Sequence, residues 1–234
     1  MKIFFTSLIF LIITKAYAVE LDTNYLTLNF SGSGVELNHH ETSSAPGFTA
    51  LNDKSKIITY SLQAGLGKEF LADKLISFTV GGEYGILLGR DNKDLLAANL
   101  KYSDKVVGAN YGLMGTINAN FYYGKMRFHT FGGIHFLKSK TVYKLSYTPF
   151  NASSPKINID YSEDATQSFL MAGVRFFDVR TQLFSVICAE YQVSSSFTKD
   201  VKASKINMGT FQLDQLADVK HVPARITVGF GYMF

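Results

Sequence analysis

The final stretch of the chain, residues 222–234, constrains the fold more than any other segment. Every second side chain in it is apolar or aromatic: Ala224, Ile226, Val228, Phe230, Tyr232 and Phe234. The residues between them are polar or small: Arg225, Thr227, Gly229 and Gly231. Because successive side chains of a β-strand point to opposite faces, one face of this strand is apolar and the other is narrow and polar. Such a strand suits a barrel with lipid outside and a crowded, wet interior.

The opposite end of the chain has the pattern of a secretory signal peptide. Met1 and Lys2 precede an apolar run at 3–13, which is followed by Ala16-Tyr17-Ala18. A basic start, a short apolar run and an Ala-x-Ala site are typical of a cleaved signal, so we interpret 1–18 as signal peptide and 19–234 as one domain. The alternatives are a membrane anchor or a buried helix, but this run is shorter than the roughly 20 residues of a spanning helix.

The composition of the remaining chain excludes several classes of protein. The signal segment holds Lys2 and Lys15, so without it the net charge falls from +4 to +2. This near-balance of positive and negative charge lacks the basic excess that is typical of a nucleic-acid-binding protein. Cys188 is the only cysteine, which excludes an internal disulfide and a cysteine-type metal site. No later apolar run is long enough to span a bilayer as a helix, so a chain that crosses a membrane must do so as a closed barrel.

Seven further segments show the same alternation of apolar and polar residues. They lie near 24–37, 58–67, 76–86, 111–123, 126–136, 170–176 and 185–193. Long polar connections are expected at 38–54, 89–105, 138–166 and 194–220, and short turns near 71–74, 124–125 and 178–180. Alternating long and short connections are typical of outer-membrane barrels. The sequence therefore predicts an all-β chain that folds as an eight-stranded antiparallel up-and-down transmembrane β-barrel.

Two segments of the third long connection, 141–147 and 156–161, also have a strand-like pattern. Each is shorter than the roughly 9 to 11 residues of a tilted membrane strand. We therefore interpret them as a hairpin extension that stands above the membrane, not as additional membrane strands.

In this pattern the chain resembles the small eight-stranded outer-membrane proteins of Gram-negative bacteria, which include the OmpA transmembrane domain, OmpX and opacity-type surface antigens. The resemblance covers about 24–234 and concerns pattern and architecture, not a diagnostic motif. It implies a location in the cell outer membrane, contact with outer-membrane lipid, and insertion by the barrel-assembly machinery. The closing strand is similar to the terminal assembly signal of such barrels, here Phe230, Tyr232 and Phe234.

Ionisable residues fall on the predicted inner face. They are Glu83, Arg127, His135, Arg175, Glu190 and Arg225. Counting along the strands puts Arg127 and Arg175 lower than the other four. An unpaired charge in a narrow lumen costs several kcal/mol, so we predict that Glu190 and Arg225 belong to one network with Glu83 nearby. The network is either a structural plug, which a filled eight-stranded interior favours, or a gate that admits small solutes.

We expect no enzymatic activity, no cofactor and no metal site. The nearest match to the His-x-Ser pair of lipid A deacylases is 128–132, which has Thr130 where serine is needed and an inward-facing His129. Glu83 and Glu190 are more simply explained as ion-pair partners of Arg225 than as an acid and a base. The adjacent His39 and His40 fall in an exposed connection, where histidines are usually only solvated.

The four long connections leave two functional hypotheses open. They contain Lys, Asp, Ser, Asn and Tyr without a marked excess of positive or negative charge. Loops on a rigid scaffold often bind partners. The favoured hypothesis is a surface protein whose loops mediate adhesion or contact a host or environmental protein or glycan; hydrated caps are the simpler alternative for the loops. A narrow channel with an interior ion-pair gate is the alternative function.

Overall fold

The computed structural model describes residues 22–42, 51–95, 100–124, 126–149, 157–200, 206–208 and 211–234. Within these ranges the structure consists of ten β-strands: β1 (Thr23–Thr42), β2 (Leu51–Phe70), β3 (Ile76–Leu95), β4 (Leu100–Tyr123), β5 (Met126–Pro149), β6 (Ile157–Asp178), β7 (Leu183–Asp200), β8 (Ile206–Met208), β9 (Phe211–His221) and β10 (Ala224–Met233). Among these residues no helix has the length and hydropathy of a membrane span. The predicted signal peptide, 1–18, lies outside the described residues.

Eight of these strands form a closed ring. Each strand from β1 to β6 pairs with the next one, β7 pairs with β10, and β10 pairs with β1, all antiparallel. In the closing pair Tyr25 lies opposite Met233 and Gly32 lies opposite Ile226. Two backbone hydrogen bonds between Asn24 and Phe234, of 3.0 and 2.9 Å, complete this pair. The predicted eight-stranded up-and-down barrel is confirmed.

The outer face of the ring is a continuous apolar belt. Leu113 is 67% exposed and Phe230 is 72% exposed, and every strand of the ring presents similar side chains. Most of the inner face is polar instead, with buried Ser31, Gln63 and Asn118, and an aromatic cluster of Tyr25, Phe177 and Phe184 lies at its lower end. A soluble protein does not leave so much apolar surface uncovered, and an apolar exterior around a polar interior is the arrangement of a membrane barrel. The ring is a transmembrane β-barrel.

Above the belt the polarity of the two faces reverses. The inward side chains become apolar and are buried: Val35, Leu37, Ile57, Val106, Tyr143 and Val219. The outward side chains become charged and exposed, as in Lys56, Lys105 and Lys140. An apolar core with a charged surface is the arrangement expected in water. This upper part, which we call the extension, therefore stands outside the hydrocarbon layer.

The extension corrects the predicted extent of the long connections. The sequence predicts connections at 38–54, 89–105, 138–166 and 194–220, yet much of each continues a barrel strand. β4 and β5 have 24 residues each, more than twice the roughly 9 to 11 that a membrane strand takes. Segment 141–147 and the described part of 156–161 lie above the belt as predicted, but they are continuations of β5 and β6.

Two seams divide the extension into two sheets. The pairing of β2 with β3 ends at Thr59 and Gly89, although both strands continue. The pairing of β7 with β10 ends at Ala224. On the other side of Pro223 the chain forms β9, which pairs with β1 and β8. Proline has no N–H to donate, so it interrupts a ladder. One sheet thus holds β8, β9, β1 and β2, and the other holds β3 to β7.

Candidate functional site

A network of charged side chains crosses the lumen of the barrel. Arg225 Nη2 lies 2.9 Å from Glu190 Oε1, 2.8 Å from Glu190 Oε2 and 2.9 Å from His135 Nδ1. His135 Nδ1 lies 3.0 Å from Glu190 Oε2, and its Nε2 lies 3.2 Å from Glu83 Oε1. Glu83 Oε1 is 3.8 Å from Arg225 Nη2. The structure therefore brings together Glu83, His135, Glu190 and Arg225, which we call the central network.

Neutral side chains connect the two carboxylates of the central network around the wall. Thr227 Oγ1 donates to Glu190 Oε1 at 3.1 Å and lies 2.8 Å from Ser31 Oγ. Ser31 Oγ donates to Gln63 Oε1 at 2.8 Å, and Gln63 Nε2 donates to Glu83 Oε1. The Phe169 ring covers the Arg225 guanidinium, with 5.3 Å between Cζ and the ring centroid. Because all these residues are buried, they fill the cross-section of the lumen.

Arg127 belongs to a separate, lower ion pair. Its Nη2 lies 2.7 Å from Glu69 Oε1, which also accepts a hydrogen bond from Ser77 Oγ. His129 Nδ1 is 3.7 Å from the same oxygen. Glu69 is not among the residues predicted from the sequence, because β2 and β5 are not neighbours and their side chains meet only across the lumen. Its position on the inner face, two residues after Gly67, is the signal that could have identified it.

Arg175 has no carboxylate at ion-pair distance among the described residues, so it does not join the predicted ion-pair network. Its Nη1 donates to Thr79 Oγ1 at 3.3 Å. Its Cζ lies 4.5 Å from the centroid of the Phe131 ring and 5.9 Å from that of Tyr25. The guanidinium is therefore held mainly by aromatic faces, which attract cations. Arg175 lacks an ion-pair partner because it lies lower in the barrel than the central network, at a level where its inward neighbours are aromatic.

The two cavities next to the central network are small and separate from each other. Above Arg225 a cavity of about 60 Å³ is bordered by Ser31, Thr59 and Asn110. Below, a cavity of about 10 Å³ lies between Tyr25 and Arg175. One water molecule takes about 30 Å³ in the liquid, so these cavities hold at most a few water molecules. The central network and its neighbours close the lumen of the described barrel.

A further pair, between a buried carboxylate and a half-buried imidazole, lies in the extension and was not predicted from the sequence. His221 Nε2 on β9 is 2.6 Å from Glu163 Oε1 on β6, and Tyr143 Oη donates to the same oxygen at 3.3 Å. The ring of Phe197 stacks on His221, with centroids 4.7 Å apart and planes at 6°. These contacts connect β9 to β6 and β7 across the seam, where the backbone ladder is interrupted. The pair therefore holds the two sheets of the extension together.

The remaining predicted residues are placed as follows. Phe230, Tyr232 and Phe234 face outward from the last strand, and Tyr232 Oη donates to Gln182 Oε1 at 2.7 Å. Their role in assembly stays a prediction. His129 is buried, and its ring centroid lies 4.2 Å from that of Phe177 with the planes at 40°, so it does not present an imidazole to lipid. The described residues contain no group of three metal-ligating side chains, and the side chains of His39 and His40 lie outside the described part.

No known family model and no curated protein sequence matches the chain. Similar solved structures do exist. The attachment invasion locus protein of Yersinia pestis, Ail, is 13% identical, with 91% of this chain and 98% of that chain covered and a TM-score of 0.34. A major outer membrane protein from Thermus thermophilus is 13% identical, with 90% and 99% covered and a TM-score of 0.42. Neisserial surface protein A is 10% identical, with 88% and 97% covered and a TM-score of 0.28. At such low values, the fold assignment rests on the closed strand order and the outward apolar faces.

Proposed function

We propose that this protein is a bacterial outer-membrane surface protein. In this proposal the barrel is a closed anchor, and the extension presents the tips of its connections to a host or environmental protein or glycan. Closed antiparallel barrels with an apolar belt are typical of bacterial outer membranes. The observation that carries the proposal is the contrast between a lumen filled by the central network and an extension that has its own buried core.

The extension supplies what a binding surface needs. Its two sheets enclose the buried side chains of Leu37, Ile57 and Tyr143, and the contact between buried Glu163 and half-buried His221 connects them. A packed core fixes the strand ends from which the connections emerge. Loops on a rigid support are common binding sites, because little conformational entropy is lost when the partner binds.

The binding proposal is tested by shortening one arm of the extension. Lys144 and Asp160 are direct partners in the β5–β6 ladder, so 144–160 can be replaced by an Asn-Gly turn without changing the register below. We expect bacteria with the shortened protein to lose adhesion to host cells or matrix, while heat-modifiable gel mobility shows that the barrel still folds. Unchanged adhesion of this variant and of the matching variant shortened between β3 and β4 would contradict the proposal.

A narrow channel is the alternative function, and one observation favours it. The cavity above Arg225 is lined partly by hydroxyl and amide groups, including Ser61, Asn110 and Thr141, which suit a solute pathway, and otherwise by apolar side chains such as Leu137 and Phe169. Passage would require Arg225 and Glu190 to separate. Stable unitary openings in a planar bilayer, altered by Arg225→Ala, would support the channel and contradict the closed anchor. We also expect the protein to leave lipid A chemically unchanged, which mass spectrometry of lipid A from overexpressing cells tests.

A further inference from the structure

The seam between β2 and β3 opens a groove on the outside of the barrel, at the upper edge of the apolar belt. Backbone pairing of these strands ends at Thr59 and Gly89, whereas β2 continues to Leu51 and β3 to Leu95. The groove has a volume of about 600 Å³ and is bordered by β2, β3 and β4. A volume of this size falls within the range of small-molecule sites.

The two halves of the groove differ in polarity. Its lower half is formed by Ile58, Tyr60 and Leu88, which are exposed members of the belt. Its upper half is formed by the cations Lys56, Arg90 and Lys105. The groove therefore has an apolar floor inside the hydrocarbon layer and a basic rim at the height of the lipid head groups.

The basic rim places like charges next to one another. Arg90 lies directly opposite Lys105 on the neighbouring strand, and Lys105 lies directly opposite Lys144 on the next. Acidic residues flank this row, since Glu36 lies opposite Lys56 and Asp160 lies opposite Lys144, and Arg90 interacts within the chain. Lys105 still has a cation directly opposite it on each side, and like charges at such positions destabilise a sheet, so an anion bound at Lys105 would offset this repulsion. Asp91 also borders the groove, but it lies on the inward-facing phase of β3 and interacts within the chain.

We propose that this groove binds the phosphorylated head group of an outer-leaflet lipid, with an acyl chain along Ile58, Tyr60 and Leu88. The ammonium groups of Lys56 and Lys105 contact the phosphate, since lysine is a compact point charge that phosphate binds well. The occupant follows from the height of the groove, because only an anionic amphiphile matches a basic rim directly above an apolar floor. This site faces the membrane leaflet and is separate from the proposed extracellular partner.

A second outer groove provides an internal comparison. It has a volume of about 760 Å³, lies lower on β3 to β5, and is lined mainly by apolar side chains such as Phe78, Ile117 and Phe136. It has no cation among its lining residues. Hydrocarbon can cover both grooves, but only the upper groove distinguishes a phosphorylated lipid from an uncharged one.

The test measures lipid binding by native mass spectrometry of the purified, detergent-solubilised barrel. The probes are bisphosphorylated lipid A and the same lipid A after enzymatic dephosphorylation. The test variant is Lys56→Gln/Lys105→Gln. The matched control is Lys138→Gln/Lys140→Gln, which removes two exposed outward lysines of β5 that do not border the groove. Heat-modifiable mobility verifies folding of both variants.

We expect the test variant to bind bisphosphorylated lipid A about tenfold or more weakly than wild type, and dephosphorylated lipid A within about twofold of wild type. The control variant should keep wild-type binding of both probes. Equal losses in both variants, or no preference of the wild type for the phosphorylated probe, would overturn the proposal. Tighter binding of a sulfated oligosaccharide than of lipid A, lost in the test variant, would also overturn it and assign the groove to a glycan.

Discussion

Arg225 on β10 and Glu190 on β7 are direct cross-strand neighbours, with Nη2 and Oε2 2.8 Å apart inside the closed barrel. Both side chains are buried, and Thr227 on the same closing strand also donates to Glu190. A shift of the closing strand by one residue would turn Arg225 toward the lipid. The pair therefore couples closure of the lumen to the register in which the last strand joins the ring.

Removing the guanidinium should destabilise the barrel strongly. Arg225→Met leaves the buried carboxylates of Glu190 and Glu83 without their cation, and breaking a buried pair costs about 3–5 kcal/mol. Urea unfolding in lipid vesicles measures this loss. The double variant Arg225→Met/Glu190→Met should lose less than Arg225→Met alone, because it leaves fewer uncompensated charges. A loss below about 1 kcal/mol in the single variant would contradict the assigned role.

The two lower arginines should respond differently to the same substitution. Arg127→Met leaves buried Glu69 without its ion-pair partner and should lower the free energy of unfolding by several kcal/mol. Arg175→Met removes a buried cation that has no carboxylate at ion-pair distance among the described residues, and places an apolar side chain beside Phe131. We expect this second variant to lie within about 1 kcal/mol of wild type, since the lost cation–π contact is offset by avoided desolvation. A larger loss for Arg175→Met than for Arg127→Met would show that these roles are reversed.

Two glycines at the β4–β5 interface should differ in their tolerance of a methyl group. A Cβ on Gly133 would collide with the carbonyl oxygen of Gly115 and approach Thr116 Cα to 2.8 Å, so the backbone would have to move. A Cβ on Gly115 points outward and meets no atom within 4 Å. We expect Gly133→Ala to reduce the folded yield in a heat-modifiability assay and Gly115→Ala to leave it unchanged. Equal folded yields of the two variants would contradict the steric clash assigned to Gly133.

The short turn after β6 should contribute a small pH dependence to the stability of the fold. The backbone N–H of Arg180 donates to Asp178 Oδ1 at 3.0 Å, which lowers the pKa of this carboxyl below its ordinary value of 3.8. A carboxyl with a lowered folded pKa stabilises the fold above its unfolded pKa and loses this contribution as the pH falls through the folded pKa. Asp178→Asn should therefore unfold more readily than wild type at pH 7, with a difference that disappears in acid. A difference independent of pH would exclude the carboxylate as its source.

The belt could be predicted from the sequence because one physical rule governs every strand in it. Side chains such as Ile58, Phe78 and Ile226 must meet lipid while their neighbours face a narrow lumen, so the alternation is regular and strand number follows from it. Glu190 and Arg225 could be placed at one depth because they lie on adjacent strands of fixed register.

Other features depend on contacts and register shifts that the alternation of apolar and polar residues does not reveal. Most of the extension is predicted from the sequence as long polar connections because its outward residues are charged, whereas its pattern is the reverse of the belt, with Ala165 and Val219 inward. The contact between Glu69 and Arg127 crosses the lumen between strands that are not neighbours. The upper part of β7 changes phase at a register shift opposite Ser168 and Phe169, so counting residues along one face fails there.

The central claim is that the ring lies in a bilayer while the extension stands in water, and depth-dependent fluorescence quenching tests it most directly. The chain has no tryptophan, so Leu170→Trp in the belt and Asp160→Trp in the extension each give a single reporter on the outward face of β6. In vesicles containing lipids with brominated acyl chains, we predict strong quenching of the tryptophan at position 170 and little quenching at 160. Equal quenching at the two positions, or none at 170, would contradict the account.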